Sequence, residues 1–182
     1  MRAVADRLAG LILLEPDVFR DERGFLLETH NRSRYAEFGI ADDFVQDNHS
    51  RSTRGTIRGL HFTDEPGQAK LVRVSHGAVW DVVVDLRRTS GTFGEWESFE
   101  LDDVDHRQLY VPIGFAHGFC VLSEAADVTY KMSTYYDRHR DRGLSWDDPQ
   151  LGIEWPISDP LLSARDRANP RLAQLRASLP DW

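Results

Sequence analysis

One cysteine, two lysines and no long apolar run mark what this chain of 182 residues does without. A single cysteine, Cys120, cannot close an internal disulfide, so nothing calls for an oxidising compartment. It reads as buried strand filling, without the thiolate-stabilising surroundings of a nucleophile. No apolar stretch reaches the roughly 20 residues of a membrane-spanning helix. The segment from Met1 to Leu14 carries Asp6 and lacks the apolar core and small-residue cleavage site of a secretory signal. The expected location is therefore the cytoplasm, with no membrane partner. Positive charge is short as well. A formal net charge of −8 supplies no global field to draw in nucleic acid, but leaves room for a local basic pocket around a small phosphorylated ligand. Of the 22 cationic residues, only Lys70 and Lys131 are lysine. A coding bias toward arginine accounts for that, yet a lysine kept in such a chain suits a place that needs a compact ammonium.

What is present reads as one domain over residues 1–182, long enough to bury a core. Short strands are punctuated by glycine, proline and Asp/Asn turns. They are expected at Leu11–Leu14, Phe25–Thr29, Phe44–Asn48, Thr56–Phe62, Lys70–Val74, Ala78–Leu86, Phe93–Leu101, Gln108–Val111, His117–Leu122 and Val128–Thr134. Ser75-His76-Gly77 reads as a hairpin loop. A short helix is predicted at Arg34–Phe38, ended by Gly39. A C-terminal helix is predicted from Asn169-Pro170, with Asn169 as N-cap, to about Ser178. The fold class is all-β: a jelly-roll or cupin-like barrel with short helices and a mouth suited to ligands.

Two stretches stand out, Arg58-Gly59-Leu60-His61-Phe62 and Pro112-Ile113-Gly114-Phe115-Ala116-His117-Gly118-Phe119. Each fixes a histidine beside a glycine on a strand. His61 has three readings: a structural histidine, a metal ligand, or an acid–base group. Cupin-type barrels supply a His-x-His pair, a following Glu and a later His. His117 fits the second part as Pro112-x-Gly114-x-x-His117, but Thr63 breaks the first. A lone imidazole makes a poor zinc or iron site. As a base, His61 needs a carboxylate on its other nitrogen. Asp166 is a candidate, although Ser163-x-x-Asp166 also reads as a helix-start capping box.

Strand alternation puts Tyr130 on one face with Val128 and Met132, and Lys131 on the other. If Tyr130 lines a pocket, its hydroxyl can quench a carbanion. Lys70 can neutralise an oxyanion. Arg23, Arg58, Gln46 and Asn48 supply donors for phosphates and a base edge. Arg58 and His61 are three apart, so a regular strand sends them to opposite faces. Both enter one pocket only through a bulge or a strong twist, for which Gly59 is the natural place.

Longer strings then carry a resemblance. They include Asp21-Glu22-Arg23-Gly24-Phe25, Phe44 to Ser50, Arg58 to Phe62, Lys70-Leu71-Val72, Asp81 to Asp85 and Gly114 to Phe119. Tyr130-Lys131, Tyr135-Tyr136, Gly152 to Pro156 and Ser163-Ala164-Arg165-Asp166 complete them. In this order they resemble the dTDP-4-dehydrorhamnose 3,5-epimerase family over nearly the whole chain. The resemblance implies a cofactor-free, metal-free isomerase acting on a dTDP-linked 4-keto-6-deoxyhexose. It implies His61 as base with Asp166, Tyr130 as acid on the opposite ring face, and Lys70 on the enolate oxygen. It also implies substrate binding by Gln46, Asn48, Arg58 and His117, together with Tyr136, Asp141 and Arg165. Arg23, Phe25 and Glu28 would bind too, with Arg23 and Glu28 coming from an N-terminal segment exchanged within a homodimer. Thr63, Ala69, Asp141 and Arg165 depart from the commonest family pattern. The alternatives are a single-carbon epimerase of an antibiotic-sugar pathway, a metal-dependent cupin enzyme, and a non-catalytic sugar-nucleotide binding module.

Overall fold

The computed structural model describes residues 1–4 and 7–182; Asp6 lies outside the described residues. Strands run in the order β1 (Arg2–Val4), β2 (Ile12–Glu15), β3 (Val18–Asp21), β4 (Gly24–Leu27), then helix α1 (Arg32–Ala36). There follow β5 (Gln46–Thr53), β6 (Ile57–Thr63), β7 (Lys70–His76), β8 (Ala78–Asp85), β9 (Trp96–Asp102) and β10 (Gln108–Val111). The chain ends with β11 (Phe115–Val121), β12 (Ala125–Met132), β13 (Asp141–Gly143), α2 (Ala164–Arg167), α3 (Leu172–Leu175) and a 3₁₀ turn at Arg176–Ser178. Two antiparallel sheets face one another, one ordered β1-β2-β10-β7-β12-β5 and the other β13-β6-β11-β8-β9, while β3 and β4 form a separate ribbon. The all-β jelly-roll expectation is met.

Alternation explains the layers. Val79 and Val83 of β8 meet Val72, Val74 and Val128 of the six-stranded sheet in the core between the sheets. Val82 and Val84 point the other way, onto a second cluster with Leu60, Phe62, Leu172 and Leu175. That outer wall is covered by the C-terminal segment, which explains why β8 is apolar on both faces. A third cluster, with Leu14, Tyr35, Ile40 and Leu71, sits under α1 on the six-stranded sheet.

Several boundaries differ from the sequence reading. Ser75–Gly77 is not a hairpin, because β7 and β8 belong to different sheets. Gly77, at φ +77°, turns the chain from one sheet to the other, and its N–H donates to Asp103. The strand predicted at Phe44–Asn48 runs instead over Gln46–Thr53, where both faces are polar and no apolar alternation marks it. Phe93–Glu95 is a turn rather than the start of β9, since Gly94 N–H folds back onto Asp85 O. Asn31, not a later residue, caps α1, accepting from Arg34 N–H. Asn169 is not the cap of the last helix. Pro170 O accepts from Ser145 N–H, holding that residue outside the helix, and the first orphan N–H, at Leu172, is met by Asp148 at 2.6 Å.

Candidate active site

The cavity between the sheets, about 280 Å³ in volume, is lined from both walls. Arg58 and His61 come from β6, and His117 and Phe119 from β11; Lys70 and Tyr130 come from the opposing sheet. Ser163, Arg165 and Asp166 close it from the C-terminal segment.

Arg58 and His61 reach the same cavity because β6 carries one extra residue. His61 faces His117 and Arg58 faces Phe119, so three steps on β6 match two on β11. This is a bulge. Gly59 takes it up at φ +119°. A side chain there would meet Gly118 Cα at 2.6 Å and His117 O at 2.8 Å; one on Gly118 would meet Arg58 O at 2.7 Å. The two glycines let the backbones touch, and each histidine sits beside that contact.

His61 Nε2 lies 2.5 Å from Asp166 Oδ1. Asp166 is buried at the start of α2. Its N–H donates to the Ser163 hydroxyl, so the helix-start reading holds, while its carboxylate serves His61. Chain pairing makes this possible. Leu161 bonds Gly55 O and Ile57 N–H, fixing the segment just before Ser163 against the start of β6. Burial alone would raise the Asp166 carboxyl, but hydrogen bonds with His61 and Ser163 and the charges of His61 and Arg165 hold it below the usual carboxylate range. It is thus ionised at neutral pH and selects the His61 tautomer that carries the proton on Nε2.

A second pair faces the first. His117 Nε2 lies 2.9 Å from Asp81 Oδ2, and Asp81 is fully buried. Burial raises the Asp81 carboxyl, against the pull of His117 and Lys70. Lys70 is pushed down by burial, while Asp141 and Asp81 draw it back. Sequence reasoning missed Asp81. The available signal was a carboxylate inside the run Asp81-Val82-Val83-Val84-Asp85, on the face shared with core Val79 and Val83. It also missed Ser50, whose buried hydroxyl has no partner among the described residues and which lines the cavity.

The remaining predicted residues fall into two groups. Gln46 and Asn48 of β5 do not line the cavity themselves; they are bonded to one another at 2.9 Å, and Asn48 reaches the cavity-lining Tyr130 at 3.1 Å. Tyr136 does not line it either: it sits in a separate surface cleft with Thr63 and Arg140, its N–H on Gln46 Oε1 and its ring half exposed. Asp141 binds Arg165 at 2.6 Å, so its carboxylate is already engaged. Arg23, Phe25 and Glu28 do not line this cavity. Arg23 pairs with Asp21, Phe25 stacks on His106 with ring centroids 4.5 Å apart, and Glu28 pairs with Arg34 at 3.1 Å. Lys131 points outward to Asp47 at 2.9 Å, as alternation predicts. Cys120 is buried, and burial pushes its thiol up to about 11. Among the described residues, no three His, Cys, Asp or Glu side chains gather as metal ligands, and no helix is long and apolar enough to cross a membrane.

Chemically, the cavity offers a carboxylate-backed imidazole, a phenol on the facing wall, and a half-buried ammonium. A family model described as dTDP-4-dehydrorhamnose 3,5-epimerase matches residues 5–174. A dTDP-4-dehydrorhamnose 3,5-epimerase of Shigella flexneri is 47% identical over 168 residues, covering 91% of this chain and 93% of the relative. One from Pseudomonas aeruginosa is 47% identical over 175 residues, covering 95% and 97%. The crystal structure of a dTDP-6-deoxy-D-glucose-3,5-epimerase from Legionella pneumophila in complex with dTDP-4-keto-L-rhamnose superposes with a TM-score of 0.96 at 43% identity, covering 100% of this chain and 98% of that one. Fold, motif order and these likenesses agree: the chain belongs to the dTDP-4-dehydrorhamnose 3,5-epimerase family.

Proposed function

We propose that the protein converts dTDP-4-dehydro-6-deoxy-D-glucose to dTDP-4-dehydro-L-rhamnose by inverting carbons 3 and 5, as a cytoplasmic isomerase. The supporting observation is that His61 and Tyr130 stand on opposing sheets with the cavity between them. Inverting a stereocentre requires a proton to leave by one face and return by the other. At each carbon, His61 takes the proton next to the 4-keto group, and the C–H electrons move into an enolate whose oxygen Lys70 meets. Tyr130 then delivers its phenolic proton to the opposite face, and solvent resets both groups. Asp166 orients His61 and stabilises the imidazolium. His117, held by Asp81, lines the cavity beside Lys70. Arg58 and Arg165 offer guanidinium groups to the diphosphate. No redox cofactor is needed.

The reading extends to the assembly. One jelly-roll domain spans residues 1–182 and acts as a homodimer, with the β3–β4 ribbon lent to the partner. Two facts support this. Arg23, Phe25 and Glu28 lie away from their own cavity, and Phe19, Phe25 and Leu26 are exposed on one small ribbon.

Turnover in deuterated water tests the reaction. Label is expected at both carbon 3 and carbon 5, and His61→Ala should abolish incorporation. Label at one carbon only would make the protein a single-carbon epimerase, and turnover that survives His61→Ala would remove the base.

A further inference from the structure

The strand that faces Tyr130 carries a directed chain of hydrogen bonds. Asn48 of β5 is the cross-strand partner of Tyr130, and Gln46 is the partner of Met132. On its other side Tyr130 is opposite Val72, which offers no polar group. The chain begins at Tyr136 N–H, which can only donate, and reaches Gln46 Oε1 at 2.9 Å. Gln46 must then present its amide nitrogen onward, and it donates to Asn48 Oδ1 at 2.9 Å. That leaves Asn48 Nδ2 for Tyr130 Oη at 3.1 Å and for the thioether sulfur of Met132 at 3.1 Å. Both are acceptors. The orientation of each amide is thereby fixed by the link before it.

Two consequences follow. Asn48 Nδ2 is held between two acceptors inside the protein, Tyr130 Oη and Met132 Sδ. The Tyr130 oxygen accepts at this contact, which leaves the phenol's own proton free to turn into the cavity that Tyr130 lines.

We propose that Asn48 is a positioning residue for Tyr130: its amide turns the phenolic proton toward the substrate carbon and holds the phenolate left when that proton is delivered. This rests on Tyr130 being the acid. A donor aimed at an oxygen where charge develops favours the charged state without reorganisation. A chain of donors polarised one way strengthens the last bond. Gln46 and the Tyr136 backbone orient Asn48, which gives Gln46 a smaller share of the same role.

The test uses steady-state kinetics and deuterium exchange on the full chain. Asn48→Leu removes the donor at similar volume, and Asn48→Asp replaces the donor with an acceptor. Each is expected to lower kcat for inversion about 10–100-fold. In Asn48→Leu, KM should stay within about 3-fold, because binding is not what is lost. Substrate exchange with solvent should fall less than inversion, since His61 is untouched. In a Tyr130→Phe background each Asn48 substitution should cost less than about 2-fold more, because the oxygen it serves is gone. Equal losses in both backgrounds would overturn the proposal, as would a raised KM with kcat retained in Asn48→Leu. If Tyr130→Phe itself keeps wild-type inversion, the acid assignment fails first, which separates the two outcomes.

Discussion

At the scale of the residue, the site is built from polar side chains that each have a reason to be where they are. His61 was legible because a histidine stood beside a glycine in a strand, and Thr63 beside it argued against a cupin metal pair. Asp81 was hidden because a buried carboxylate within a valine run looks, in sequence, like an interruption of the strand. Its role appears only when His117 is placed 2.9 Å away. Asp166→Asn should lower kcat about 10²–10⁴-fold, because the imidazole loses the anion that fixes its tautomer. The same carboxyl is held below its ordinary value of 3.8 in the folded protein. Its stabilising share is therefore complete above pH 4 or so and fades as pH falls through the depressed folded value. Thermal melts of wild type and Asp166→Asn should differ most at neutral pH and converge on strong acidification; a gap that widened toward acid would contradict the assignment. Lys70→Ala should cost about 10²–10³-fold in kcat through the loss of the cation at the enolate oxygen, measured under saturating substrate.

At the scale of the element, β6 decides the site. Simple alternation sends Arg58 and His61 to opposite faces, and the single extra residue at Gly59 reverses that result. The need for an irregularity, a bulge or a strong twist, was visible in the three-residue spacing; its form, a bulge with two glycines in backbone contact, was not, since nothing in the sequence pairs Gly59 with Gly118. The misread hairpin at Ser75–Gly77 has the same origin. A tight glycine turn between two strands looks alike whether they pair or cross between sheets, and pairing partners are set by contacts far along the chain. Gly59→Ala places a Cβ at positive φ and against Gly118. It should destabilise by about 2–4 kcal/mol, read by chemical denaturation, and lower activity further by shifting His61 against Asp166. A stable, fully active Gly59→Ala protein would contradict that account of the bulge.

At the scale of the whole molecule, the ribbon of β3 and β4 and the C-terminal wrap stand outside the two-sheet core. Phe19→Asp with Leu26→Asp should leave the barrel folded by circular dichroism, shift the protein toward monomer by light scattering, and weaken substrate binding; an unchanged mass would argue against the exchanged segment. The wrap has a consequence for how the enzyme is made. His61 and its carboxylate are 105 residues apart in sequence, and the segment bearing Asp166 continues into Leu172 and Leu175, which cover the apolar outer wall of Leu60, Phe62, Val82 and Val84. Chains grow from the N-terminus. A chain halted before this segment therefore presents an uncovered greasy wall and an imidazole with no anion behind it. The segment that covers this surface is also the one that puts the anion behind His61, so whatever loosens the wrap disarms the base as well.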